Sequence, residues 1–219
     1  MKQQNAFPDH VCHHRRNLLL AGSAAGFAIA FPQLASAGKL LGVASEVYVN
    51  GKRSYRGASI RPGDVVKTGG LSEAVFVIGK DAYMLRQNSE MHLIAAKGGS
   101  SRIAAGLRLV TGGLLSVFSP GQRVVRTATA TAGIRGTATY VEVRPEGTYF
   151  CTCYGKVDLS NSAGDASVQV NALHHDANFV HANAQSGNAI EHSTMQNHYD
   201  EELMLLTALL GTKPPFVTG

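Results

Sequence analysis

The chain of 219 residues has no tryptophan, three cysteines, seven prolines and little charge. Asp, Glu, Lys and Arg make up 16% of it, against about 25% in an ordinary soluble domain. Low charge with 44% apolar content excludes a disordered chain, which pairs high charge with few apolar residues. Three cysteines are too few for a disulfide-dense mini-scaffold. The sequence holds no G-x-S-x-G elbow, no P-loop, no G-x-G-x-x-G and no H-E-x-x-H. The usual marks of a serine hydrolase, a nucleotide-binding enzyme and a zinc protease are therefore absent, and no enzyme is expected.

What is present begins with an export pattern. Arg15 and Arg16 are adjacent, a mildly apolar run follows from Leu18 to Phe31, and Ala35-Ser36-Ala37 closes the segment. A charged start, a short apolar stretch and an A-x-A site are the three parts of a secretory signal. The paired arginines resemble the twin-arginine class. The apolar run is shorter than the roughly 18–20 residues of a membrane span. An uncleaved anchor or a buried helix is the other reading of this stretch. Cleavage after Ala37 leaves 182 residues with 17 Lys and Arg against 14 Asp and Glu, and it removes Cys12. The expectation is a bacterial periplasmic protein with no transmembrane span in the mature chain and no nucleic-acid partner.

From Gly42 to Leu159 short apolar stretches alternate with turn signals. These include Asn50-Gly51, Arg61-Pro62-Gly63-Asp64, Gly79-Lys80-Asp81, Gly112-Gly113, Ser119-Pro120-Gly121, Pro145-Glu146-Gly147 and Tyr154-Gly155. Turns at this spacing predict an all-β body, whether sandwich, jelly-roll-like or short and solenoid-like. Asn88-Ser89 reads as the centre of a hairpin-like stretch. Residues 160–196 turn rich in Asn, Ser, Ala and His, with one strand at Val168-Gln169-Val170 and a loop-like stretch over 176–190. Asn197 to Leu210 reads as the single C-terminal α-helix. Leu203, Leu206 and Leu210 share a face that Met204, Leu205 and Leu209 broaden, and Gly211 stops it. The expected organisation is an export signal at 1–37, a β domain at 38–160, and a His-rich extension with the helix at 161–219. Lys52, Arg53, Arg56 and Arg61 form a basic stretch that reads first as a solvated loop.

Several of these pieces resemble FecR domains. They are Gly63-Asp64-Val65-Val66-Lys67-Thr68-Gly69, the run Glu73 to Ile78, the run Gly112 to Val117, and Ile134-Arg135-Gly136-Thr137 with the strand Ala138 to Val143. The resemblance covers about residues 42–159. It implies a non-catalytic periplasmic β module. In the namesake regulators that module follows a cytoplasmic anti-sigma segment and a membrane helix, and it relays a signal from an outer-membrane receptor. Residues 1–37, shaped as an export signal, depart from that plan, so the resemblance implies the module and not the transmembrane relay. Within the motif, Gly136 reads as a bulge or close-approach position, and Arg135 as a partly buried guanidinium that needs an acceptor.

Cys151 and Cys153 form a C-x-C pair, and His174, His175, His181, His192 and His198 follow. Residues i and i+2 of a strand lie on one face about 7 Å apart, at the upper limit for a disulfide. Two thiolates beside two imidazoles suit zinc or copper. The candidate ligands are Cys151, Cys153, His174, His175 and His198. In a strand only one of the adjacent His174 and His175 could face the cysteines, unless both lie in a loop. A reversible disulfide, or structural cysteines beside solvated histidines, are the alternatives. The stretch Tyr149 to Gly155, with His174-His175-Asp176 and Asn197-His198, resembles a subgroup of FecR-domain proteins. Two functions are expected. One is a non-enzymatic periplasmic module that senses a ligand or binds another periplasmic or membrane protein. The other is a metal-binding or thiol-redox protein.

Overall fold

The computed structural model describes residues 38–43, 46–96, 104–184 and 186–217. The expected export signal, with Arg15, Arg16, Ala35 and Ala37, lies outside them. Among the described residues, sixteen strands and one α-helix form the body. The first eight strands are β1 (Gly38–Val43), β2 (Val47–Val49), β3 (Lys52–Ser54), β4 (Ser59–Ile60), β5 (Val65–Thr68), β6 (Ala74–Ile78), β7 (Asp81–Leu85) and β8 (Glu90–Ile94). Then come β9 (Gly106–Val117), β10 (Gln122–Arg126), β11 (Ala130–Arg135), β12 (Ala138–Arg144), β13 (Gly147–Asn161), β14 (Ser167–Ala172), β15 (Asp176–His181) and β16 (Ile190–Ser193). The helix is α1 (Asp200–Leu209).

The strands make two sheets. One runs β4-β1-β6-β7-β9-β12-β13-β15-β16, and the other β3-β2-β5-β8-β9-β10-β11-β13-β14. Strands β9 and β13 belong to both. The main core contains Leu40, Val66, Phe76, Tyr83, Leu107, Leu114, Val141, Phe150 and Leu159. A second apolar cluster gathers Ala82, Leu115, Tyr140, Tyr149, Cys151 and Cys153 with Leu203 and Leu206 of α1. The expected all-β architecture with one C-terminal helix is what the chain adopts.

The sharing of β9 and β13 corrects the turns expected at Gly112-Gly113 and Tyr154-Gly155. Both strands continue unbroken through these positions and bend there. Before Gly112, β9 pairs with β8 and β10; from Gly112 on, it pairs with β12 and then β7. Up to Tyr154, β13 pairs with β12; from Gly155 on, it pairs with β14 and then β11. Gly112 has φ +75° and Gly155 φ +95°, values that let a strand kink without a Cβ penalty. At Gly112 an added Cβ would also sit 2.0 Å from Ser89 Oγ and 2.7 Å from its Cα. Gly112→Ala is expected to cost about 2–3 kcal/mol, combining left-handed strain with overpacking. Urea unfolding checks this, and a cost below about 1 kcal/mol would contradict the account of the bend.

Four further differences have physical causes. The stretch Tyr83 to Ala95 is no hairpin, because β7 pairs in one sheet and β8 in the other. Residues 176–190 are not all loop. Strand β15 places Ala177, Asn178 and Val180 in buried positions on β13, and pairing offsets the polarity that made the stretch read as a loop. Strands β14 to β16 lie beyond residue 160 and pair directly or through one another onto β13. The helix begins at Asp200 because Asn197 is left-handed (φ +59°) and Tyr199 is extended; Glu202 accepts the Tyr199 backbone N–H at 3.0 Å. Leu203 and Leu206 are buried as expected. Met204 and Leu205 face solvent instead, at 41% and 49% exposure, so the buried stripe is narrower than the sequence suggests.

The Ile134-Arg135-Gly136-Thr137 motif joins β11 to β12. Gly136 has φ +67°, and an added Cβ would meet Pro120 Cα at 3.2 Å, a close approach as expected. Thr137 is buried against Gly155, where it packs into the bend of β13. Arg135 is a correction. Its side chain is 65% exposed and pairs with Asp158 at 3.0 Å, so the motif does not bury a guanidinium. Strand alternation turns Ile134 into the core and Arg135 out of it.

Candidate metal centre

Three segments deliver the site. Strand β13 carries Cys151 and Cys153 on its outer face, where period-two alternation puts both thiols in the second apolar cluster. The turn between β14 and β15 carries His174 and His175. Because His175 is left-handed (φ +44°) and lies outside any strand, the two imidazoles are free of the strand rule. His175 reaches the cysteines, and His174 stays half exposed. The segment ahead of α1 carries His198, which is stacked on Tyr140 with ring centroids 4.7 Å apart.

The donor atoms of Cys151, Cys153, His175 and His198 all lie within 4.8 Å of one another. Cys151, Cys153 and His198 are at 1% exposure or less. Cys151 Sγ stands 3.6 Å from His175 Nδ1, and His175 Nδ1 stands 3.1 Å from His198 Nε2. Around a tetrahedral zinc with bonds of ~2.05 Å to nitrogen and ~2.3 Å to sulfur, two nitrogens stand about 3.3 Å apart and a nitrogen–sulfur pair about 3.6 Å. Both of these separations therefore match a tetrahedral ion of that size, and the remaining donors lie within the 4.8 Å that bounds the cluster.

The outer contacts fix which nitrogen faces inward. His198 Nδ1 donates to the Gln196 carbonyl at 2.7 Å, so its Nε2 offers a lone pair. His175 Nε2 donates to Asp200 at 2.8 Å, so its Nδ1 also offers a lone pair in the neutral ring. Two lone pairs facing at 3.1 Å repel unless a cation sits with them, either a proton or a metal ion. A carboxylate or carbonyl behind a ligating imidazole is the usual support of a metal site. Asp200 also accepts from His174 Nε2, at 3.0 Å to each oxygen.

The electrostatics favour anionic sulfur at Cys151 and a neutral thiol at Cys153. Hydrogen bonding with Cys153, then with His175 and His198, outweighs burial and holds the Cys151 thiol down to about 4. Burial, and then the neighbouring Cys151, push the Cys153 thiol up. Burial would lower the His175 pKa, but its contacts to Cys151 and Asp200 raise it instead. The centre is thus poised to hold positive charge against sulfur.

Of the five expected ligands, four converge. His174 does not join them and sits in the outer group with Asp200. The cysteines are free thiols here, not the alternative disulfide. His181 pairs with Glu191 at 3.1 Å and the exposed His192 approaches Asp176, both away from the sulfurs. Asp200, Gln196 and Tyr140 were not singled out from the sequence. Asp200 carried only the signal of an acid in a first helical turn. Cys151, His175 and Asp200 follow the order of a nucleophilic triad, but Cys151 is fully buried. A pocket of about 640 Å³ lies at the other end of β15, lined by residues that include Glu146, His181, Asn188 and Glu191.

No family model matches the chain. No curated protein matches it. Two crystal structures of a candidate anti-sigma factor from Parabacteroides distasonis ATCC 8503 are similar to it in fold. One shows 12% identity and a TM-score of 0.48, covering 65% of this chain and 64% of the other. The second shows 13% identity and a TM-score of 0.47, covering 60% of each chain. This chain thus spans less than two thirds of the length of either structure. The side chains of the site carry the functional reading. No helix among the described residues is long and apolar enough to cross a membrane.

Proposed function

We propose that the protein is a non-enzymatic, exported module of FecR type that binds one zinc or cuprous ion through Cys151, Cys153, His175 and His198. It senses that ion in the periplasm and acts on a periplasmic or membrane partner. The observation that carries this reading is the inward-facing pair of lone pairs on His175 Nδ1 and His198 Nε2, with Cys151 sulfur beside them. Four protein donors fill a tetrahedron and leave no open position for substrate, the mark of a structural rather than a catalytic site. A Cys₂His₂ set selects zinc or a soft monovalent ion over oxygen-seeking cations. The ordered motifs from Gly63 to Val143 support the module, and the pattern ending at Ala37 supports export.

Thiol redox is the second reading, favoured by the depressed Cys151 thiol beside Cys153. Elemental analysis of protein purified under reducing, chelator-free conditions separates the two. One equivalent of zinc or copper per chain is expected, bound with full loss of thiol reactivity. Less than a tenth of an equivalent after incubation with either ion, with both thiols freely titrated, would overturn the metal reading.

A further inference from the structure

We infer that the bound ion bolts the C-terminal arm, residues 194–217, onto the sheet, so that loading with metal closes the arm and loss of metal releases it. This rests on the metal reading above and adds how occupancy changes the shape of the protein.

The ligands come from pieces of different standing. Cys151 and Cys153 lie on β13, which is paired on both sides and belongs to both sheets. His198 belongs to the arm. Apart from the chain connection through β16, the arm is held only by noncovalent contacts with the sheet face. Leu203 and Leu206 bury against the second apolar cluster. Arg86 reaches Glu202 at 2.6 Å. Tyr149 Oη donates to the Thr194 carbonyl and accepts the Gln196 N–H. Asn197 donates to Glu142 at 2.8 Å.

The helix in this arm has ten residues, below the roughly 12–15 at which an isolated helix becomes even marginal in water. Released from the sheet, it unfolds. The arm is therefore a local opening unit with a free energy of its own, below that of the sandwich. An ion that needs His198 as its fourth ligand binds the closed arm better than the open one. At saturation, linkage then multiplies the closed-to-open ratio by the ratio of the two affinities. Coupling is reciprocal, so a change that opens the arm weakens the ion in proportion to the closed population lost. Asp200 adds to the bolt, since it holds His175 from the first turn of α1.

Hydrogen–deuterium exchange on the full reduced chain, with zinc and then with excess chelator, tests this. Zinc is expected to slow exchange of the amides of Leu203 to Leu209 by about 10- to 100-fold at saturation, and to leave β2 and β5 unchanged. His198→Ala should still bind zinc more weakly through three ligands and lose that slowing. Leu206→Ala removes no donor atom, yet should weaken zinc by about 10-fold or more. If the wild-type chain binds one zinc while the arm exchanges at the same rate, or if Leu206→Ala binds zinc as tightly as wild type, the bolt is refuted and the metal site stands. If no zinc binds at all, the metal reading falls and the bolt with it.

Discussion

Asp81→Ala is expected to destabilise the protein by about 3–5 kcal/mol, the cost of stranding a buried charge. In a chain of this size the melting temperature should fall by on the order of 10 °C. Asp81 is fully buried at the start of β7, and Arg123 on β10 is 8% exposed. The carboxylate accepts the Ser119 backbone N–H at 2.8 Å, the Ser119 hydroxyl at 2.7 Å and Arg123 Nε at 2.9 Å. Arg123 also donates to the Gln122 carbonyl at 2.9 Å and to Ser119 Oγ at 3.3 Å. Strand β7 lies in one sheet and β10 in the other, so the pair ties the two together at one end of the sandwich. Truncating Asp81 leaves a guanidinium with no counterion in a site closed to water. The double variant Asp81→Ala/Arg123→Leu should recover most of the loss, because it removes both charges. Thermal and urea unfolding of the three proteins decides the matter. A single-variant cost under 1 kcal/mol would show that the pair is dispensable.

Cys151→Ser is expected to weaken zinc binding by at least about 100-fold, more than the 10- to 100-fold typical of losing an outer-sphere support. Cys151 sits at the centre of the cluster, with His175 Nδ1 at 3.6 Å and Cys153 two residues along the same strand face. The serine hydroxyl is a poor ligand for a soft or borderline ion, and it is not ionised at neutral pH. Zinc held at 100 times its dissociation constant should stabilise the wild-type chain by about 2.7 kcal/mol. The variant should show almost none of that gain at the same zinc concentration. Competition titration against a chromophoric chelator measures the affinity, and melting curves with and without zinc measure the gain. Equal affinities for the two proteins would remove Cys151 from the ligand set.

Much of the β architecture is legible along the chain because its turns are marked chemically. Asn50 is left-handed ahead of Gly51, and Asp64 accepts backbone and side-chain donors that close the turn after Arg61. The C-x-C pair is legible for a similar reason, since strand alternation alone puts both sulfurs on one face. The continuity of β9 and β13 is not legible. A glycine inside a strand and a glycine in a turn have the same letter, and only tertiary pairing separates them. Asp81 illustrates the same limit. After Gly79-Lys80 it reads as a turn acid, and nothing nearby announces Arg123, 42 positions on. The partition of the histidines also depends on tertiary placement. His174 and His175 are neighbours, and one left-handed backbone angle sends them to different environments.

The two shared strands also govern how the body comes apart. Each carries backbone hydrogen bonds for both sheets along one unbroken stretch of chain. Pulling β9 or β13 out of one sheet removes the template of the other, so neither layer has a melting transition of its own. Their pairings are also long in sequence. Ala82 sits opposite Val117 of β9, and Ile134 waits for Val157 of β13. Closing such distant partners before any contact rewards them makes the folding nucleus costly and the folding slow. The same barrier then stands against unfolding, and it leaves the sandwich a rigid frame on which only its edges can move.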